Sequence, residues 1–88
     1  MTSKERAELR GLASTLDTIV QIGKNGITES VIASVDTALT ARELIKGKVL
    51  ETSMLTAGEA CQQLAEACGA EPVQAIGTKF VLYRKRKD

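Results

Sequence analysis

The 88-residue sequence predicts an α/β fold in the order α-β-α-β-α-β-β, with one mixed four-stranded sheet packed by helices. Three observations predict it. Two Thr-x-x-Glu capping boxes, at Thr2 to Glu5 and Thr56 to Glu59, each open a stretch with apolar residues at helical spacing. Short β-branched or alternating runs stand between the helical stretches. Gly77-Thr78 separates the last two runs and suits a two-residue type II′ hairpin turn.

Taken in order, Leu9, Leu12, Ala13 and Leu16 follow the first box at i, i+3, i+4 and i+7, which predicts a helix over residues 3–14. Thr18 to Ile22 is a short β-branched strand, and Gly23 to Gly26 a loop. Thr28 is the next N-cap, with Ile27 and Ile32 at the two positions of a hydrophobic staple. Val31, Val35, Ala38 and Leu39 share one face of this second helix, over about residues 28–42. Glu43 to Leu50 alternates as a strand, with Ile45, Gly47 and Val49 on one face and Lys46 and Lys48 on the other. The third helix carries the stripe Ala57, Ala60, Cys61, Leu64 and Cys68 and stops at Gly69. Pro72 to Ile76 and Lys79 to Arg84 form the closing hairpin. A strand-helix-strand unit from Thr18 to Leu50 implies a parallel pair, and the hairpin an antiparallel one. The whole chain, 1–88, reads as one domain, with residues 85–88 a short basic tail.

Composition narrows the function. Phe80 and Tyr83 are the only aromatic residues, so the core must be aliphatic and no broad stacking platform for bases exists. Both rings are expected in packing. From Lys79 to Asp88 the local charge is +4, against −3 for the rest, an asymmetry compatible with phosphate binding. The N-terminus has no signal-peptide pattern and no apolar run reaches the roughly 20 residues that span a bilayer, so a cytoplasmic protein without a membrane role is expected. With no histidine and no Cys-x-x-Cys pair, no metal site or cofactor is expected, and Cys61 and Cys68 read as small buried hydrophobes. No side chain has an evident activating partner for nucleophilic or acid–base work, which argues against an enzyme.

The loop Gly23-Lys24-Asn25-Gly26 is the segment best suited to a ligand. Its glycines let the backbone turn sharply and approach a ligand closely. The helix that follows presents free N–H groups and the positive end of its dipole. Lys24 adds a full charge, and Asn25 tolerates left-handed geometry. The nucleotide P-loop pattern and Gly-x-Gly-x-x-Gly are both absent. A tight turn without a ligand explains the same glycines. The Gly-x-x-Gly clamp of KH domains, which holds a nucleic-acid backbone, is the nearest chemical parallel, although it lies between two helices.

Arg10-Gly-Leu-Ala13, Ile19-Val-Gln-Ile-Gly-Lys-Asn-Gly-Ile-Thr28, Glu43-Leu-Ile-Lys46, Ile76-Gly77 and Val81-Leu-Tyr-Arg84 resemble, in order, the YhbY-like proteins, free-standing versions of the CRM domain (chloroplast RNA splicing and ribosome maturation). The resemblance implies an RNA-binding fold similar to the C-terminal domain of bacterial initiation factor three. It also implies association with large-subunit ribosomal RNA or its precursor particle. The Gly-x-x-Gly maps onto Gly23, Lys24, Asn25 and Gly26, with supporting basic positions at Arg10, Lys46 and Arg84. The chain departs from the family at Ser14 and Arg42, where members often have His, and at Asp17, often basic.

The leading expectation is therefore a monomeric, non-catalytic ribosome-assembly factor. Its RNA contacts are Gly23, Lys24, Asn25, Gly26, Thr28, Arg10, Lys46, Lys48, Arg84, Lys85 and Arg86. The alternatives are a protein-interaction module docking a ribosomal protein or assembly factor, with the loop purely structural, and, more weakly supported, a small-anion sensor.

Overall fold

A computed structural model describes residues 2–85; the part of the basic tail at 86–88, including Arg86, lies outside the described residues. The elements run α1 (Ser3–Ala13), β1 (Val20–Ile22), α2 (Glu29–Arg42), β2 (Leu44–Val49), a short 3₁₀ turn (Glu51–Ser53), α3 (Ala57–Cys68), β3 (Glu71–Ile76) and β4 (Lys79–Tyr83). The sheet order is β1-β2-β4-β3. β1 pairs with β2 in parallel and β3 with β4 antiparallel, as the sequence predicts, and β4 also pairs antiparallel with β2.

The two faces of the sheet are covered unequally. Val20, Ile22, Ile45, Val49, Phe80 and Leu82 bury one face against Val35 and Leu39 of α2 and against the whole predicted stripe of α3. Strand alternation sends Leu44, Val81 and Tyr83 to the other face, where Val73 joins them under Ala13, Leu9 and Leu16 of α1 and its following turn. The core is thus aliphatic, with Phe80 fully buried at its centre and Tyr83 half-buried in the smaller cluster.

Local chemistry explains most boundaries. Thr56 and Glu59 form the reciprocal capping box, each side chain accepting from the other's backbone N–H at 3.1 Å. The box predicted at Thr2 is only half formed: Thr2 accepts from the Glu5 N–H, but Glu5 receives the Thr2 hydroxyl rather than its amide. Thr28 caps α2 through the Val31 N–H at 3.2 Å, and Ile27 and Ile32 both pack on the main core. Gly69 ends α3 in the left-handed conformation. At the hairpin, Gly77 has φ +61° and Thr78 does not share it, which fits type II′.

Three readings need correction. Leu12 is 62% exposed, because α1 meets the sheet through Leu9, Ala13 and Leu16 and turns Leu12 to solvent. The Glu51–Ser53 turn has no counterpart in the sequence pattern, since three residues show no period. It is held by Ser53, a buried polar residue whose hydroxyl donates to the Leu50 carbonyl at 2.7 Å and accepts from the Leu55 N–H at 3.2 Å. Finally, β1 starts at Val20 rather than Thr18, since only residues 20–22 pair with β2 in register.

Candidate nucleic-acid interface

β1 ends at Ile22, whose register partner is Val49 at the far end of β2. The Gly23–Gly26 loop leaves the sheet there and leads directly into the N-terminus of α2. The loop is a β-turn closed by the Gly26 N–H donating to the Gly23 carbonyl at 2.9 Å. Neither Lys24 nor Asn25 has positive φ, so the turn is of type I; Gly26, at φ +68°, is the residue that needs the left-handed region. The expected role of Asn25 thus passes to Gly26. Gly23 has ordinary backbone geometry, and a Cβ there would touch Leu50 at an unstrained 3.7 Å.

Lys24 and Asn25 are exposed at the tip. Among the described residues the amides of Lys24, Asn25, Glu29 and Ser30 have no partner, whereas Val31 is capped by Thr28. The loop therefore presents unpaired N–H groups with one cation beside them, a geometry that accepts an anion. Exposed Glu29 in the first turn of α2 already offsets part of the helix dipole, leaving Lys24 as the larger electrostatic contribution.

A second basic surface adjoins this end of the sheet. Lys46 and Lys48 share the less covered face of β2, and Lys48 stands directly opposite Lys79 on β4. Gln21 of β1 is the register partner of Lys48, so this face continues toward the loop strand. α1 contributes Arg10 across a groove shared with Lys46 and Lys79. Lys79 was missed as a site residue although it opens the basic C-terminal stretch, because its pairing with Lys48 is a property of register.

Arg84 occupies a different place. It follows β4 at the Leu44 end of β2, so about five residues of strand, roughly 16 Å, separate it from the loop end. Its guanidinium donates to Asp36 Oδ1 at 2.6 Å, the Cys68 carbonyl at 2.8 Å, the Asp36 carbonyl at 3.0 Å and Thr40 Oγ1 at 2.9 Å. These bonds fasten β4 to α2 and to the last turn of α3. Arg84 is spent on the fold, and exposed Lys85 lies beside it rather than beside the loop.

The two cysteines are buried away from the loop. Burial pushes the Cys61 thiol from its ordinary value near 9 up to about 11, only partly countered by the Val81 backbone. Burial also raises Cys68, with the Asp36 carboxylate adding to the effect and Arg84 opposing it. Both thiols are therefore protonated and weakly reactive at neutral pH. Among the described residues no cluster of three metal-ligating side chains occurs, and no helix is long and apolar enough to cross a membrane.

Fold and site together define a small α/β domain with a Gly-x-x-Gly turn at the mouth of a helix and a basic, partly open sheet face. The chain belongs to the CRS1/YhbY (CRM) domain family, whose model matches residues 1–84. It is 35% identical to the probable RNA-binding protein YqeI of Bacillus subtilis over 88 residues, covering 100% of this chain and 92% of that protein. An RNA-binding protein of Haemophilus influenzae is 36% identical over 88 residues, covering 100% and 89%. The solution structure of the hypothetical protein SAV1595 from Staphylococcus aureus superposes with a TM-score of 0.76 at 39% identity, covering 100% of this chain and 92% of that one.

Proposed function

We propose that this chain is a non-catalytic RNA-binding protein that acts, as a cytoplasmic monomer, in assembly of the large ribosomal subunit by binding its precursor RNA. The observation that carries the reading is the Gly23–Gly26 turn, with its unpartnered amides and exposed Lys24 at the start of α2. RNA-binding relatives spanning the full chain support it. The turn holds backbone phosphate through N–H groups and charge, and Thr28 sets the helix end behind it. Arg10, Lys46, Lys48 and Lys79 extend the contact over the sheet face, and shape and charge dominate recognition.

Two measurements test it. Replacing both Gly23 and Gly26 by Asp puts two carboxylates at the phosphate position, and Asp tolerates the left-handed geometry needed at 26. Affinity for structured RNA should fall at least tenfold in a protein whose circular dichroism is unchanged; unchanged affinity removes the loop from the interface. Crosslinking in cells should recover large-subunit ribosomal RNA. Fragments scattered in proportion to RNA abundance would leave RNA binding standing without the assembly role.

A further inference from the structure

The groove between α1 and the sheet has features that a phosphate-gripping surface alone does not require. It measures about 490 Å³, within the size range of clefts that take small ligands, ~300–1,000 Å³. Its floor is apolar, Ala13 and Val81, and Ile76 at its rim is 65% exposed. Arg10, Lys46 and Lys79 line it with no carboxylate, and Lys48 lies just beyond, directly across from Lys79. Like charges facing each other across a strand pair are unfavourable unless an anion joins them. The Arg84–Asp36 pair is the sole ion pair among the described residues, so none of these four cations has a carboxylate partner there. The side chain of Gln74, also in the groove, has no hydrogen-bond partner among the described residues.

Gly11 adds an independent observation. Glycine inside a helix costs stability relative to alanine, and nothing lies within 4 Å of the position its Cβ would take. Close packing therefore does not require it. It does line the groove, together with Ser14, so α1 presents small residues where a longer side chain would close the space.

We propose that this groove is a subsite for an unpaired nucleotide of single-stranded RNA, its base laid on the Ala13–Val81–Ile76 surface and its flanking phosphates held by Arg10, Lys46 and Lys79. Gln74 supplies a donor and an acceptor to a base edge. A base has the flat apolar face that the floor fits, and the phosphates answer the charge of the walls. The bases of a continuous duplex are stacked inside the helix and cannot enter. The inference rests on the RNA-binding reading above and deepens it.

The test compares a 12-nucleotide unstructured RNA with a 12-base-pair RNA duplex by fluorescence anisotropy at one salt concentration. Gly11→Leu fills the groove while improving helix propensity, so it should raise the melting temperature and weaken single-strand binding at least tenfold, with duplex binding changed less than twofold. Gly11→Ala should raise stability and leave both affinities intact. Ile76→Glu, at an exposed position, should repeat the selective loss if the leucine variant aggregates. Equal weakening toward both RNAs, or single-strand affinity unchanged in both Gly11→Leu and Ile76→Glu, overturns the subsite. If the wild type binds RNA and only the Gly23 and Gly26 replacements abolish it, the groove fails and the loop stands. If the wild type binds neither RNA, the RNA-binding reading falls and the subsite with it.

Discussion

Gly47 on β2 and Phe80 on β4 are register partners, and the Phe80 ring lies over the glycine so closely that a Cβ at residue 47 would sit 2.2 Å from Phe80 Cζ. The single Phe of the chain is thus seated on the only unsubstituted position of its neighbouring strand, fully buried. Any side chain at 47 must displace the ring from the main core. Gly47→Ala should destabilise the protein by ~1–3 kcal/mol, the usual cost of overpacking, by urea denaturation. Adding Phe80→Leu should recover part of that loss, because the smaller side chain vacates the clash; additive losses in the double variant would show that ring and glycine are not coupled.

Arg84 gives a prediction of the opposite kind, a basic residue that matters to stability and not to RNA. Arg84→Ala leaves the Cys68 carbonyl without its side-chain donor, while the Asp36 carbonyl keeps the Thr40 hydroxyl, and should cost ~1–3 kcal/mol. The ion pair itself adds little, since the Asp36 side chain is 57% exposed and screened by solvent. Lysine should rescue poorly, lacking the planar fork that reaches four acceptors. RNA affinity of the folded variant, measured well below its melting temperature, should match the wild type.

The buried thiol of Cys61 links stability to alkaline pH. The unfolded thiol ionises near 9 and the folded one at about 11, so between these values the unfolded chain binds fewer protons and folding weakens as pH rises. The stabilisation is complete below pH 9 and is lost between about 9 and 11, by at most ~3 kcal/mol. Denaturation across this window should show a shallower decline in Cys61→Ala than in the wild type. An identical slope would place the titration elsewhere.

Glu43 caps α2 with φ +61° and ψ −45°, a strained geometry for any residue with a side chain, and its side chain has no hydrogen-bond partner. The single residue between α2 and β2 must turn the chain through it. Glu43→Gly should therefore stabilise the protein by ~1 kcal/mol, seen as a rise in melting temperature.

The fold was legible because its signals are local and redundant. The Thr28 and Thr56 caps, the α3 stripe ending at Cys68 and the alternation from Ile45 to Val49 each express a period that burial in the main core reproduces. Leu12 misled because a helix packed on a sheet by one narrow stripe can leave a correctly spaced leucine outside. The loop was legible in position but not in conformation, since which of Asn25 and Gly26 takes positive φ depends on how the turn meets α2. The basic residues were the least legible. Arg84 looks like its neighbours in a charged C-terminus, and only the convergence of β4, α2 and α3 shows it to be occupied. That Lys79 and Gly11 share a groove carries no signal in one dimension, because the groove exists only once strand register and the seat of α1 are set.

The edges of the sheet have a consequence for how the molecule meets its surroundings. One edge strand, β1, offers just three residues, and the other, β3, begins with Glu71-Pro72 and shifts register between Pro72 and Gln74. Proline withholds an N–H and the register shift interrupts the strand, so both margins are poor templates for a further strand from a second copy. Both margins therefore work against strand-by-strand growth into fibrils, a hazard that any exposed, regular sheet edge carries.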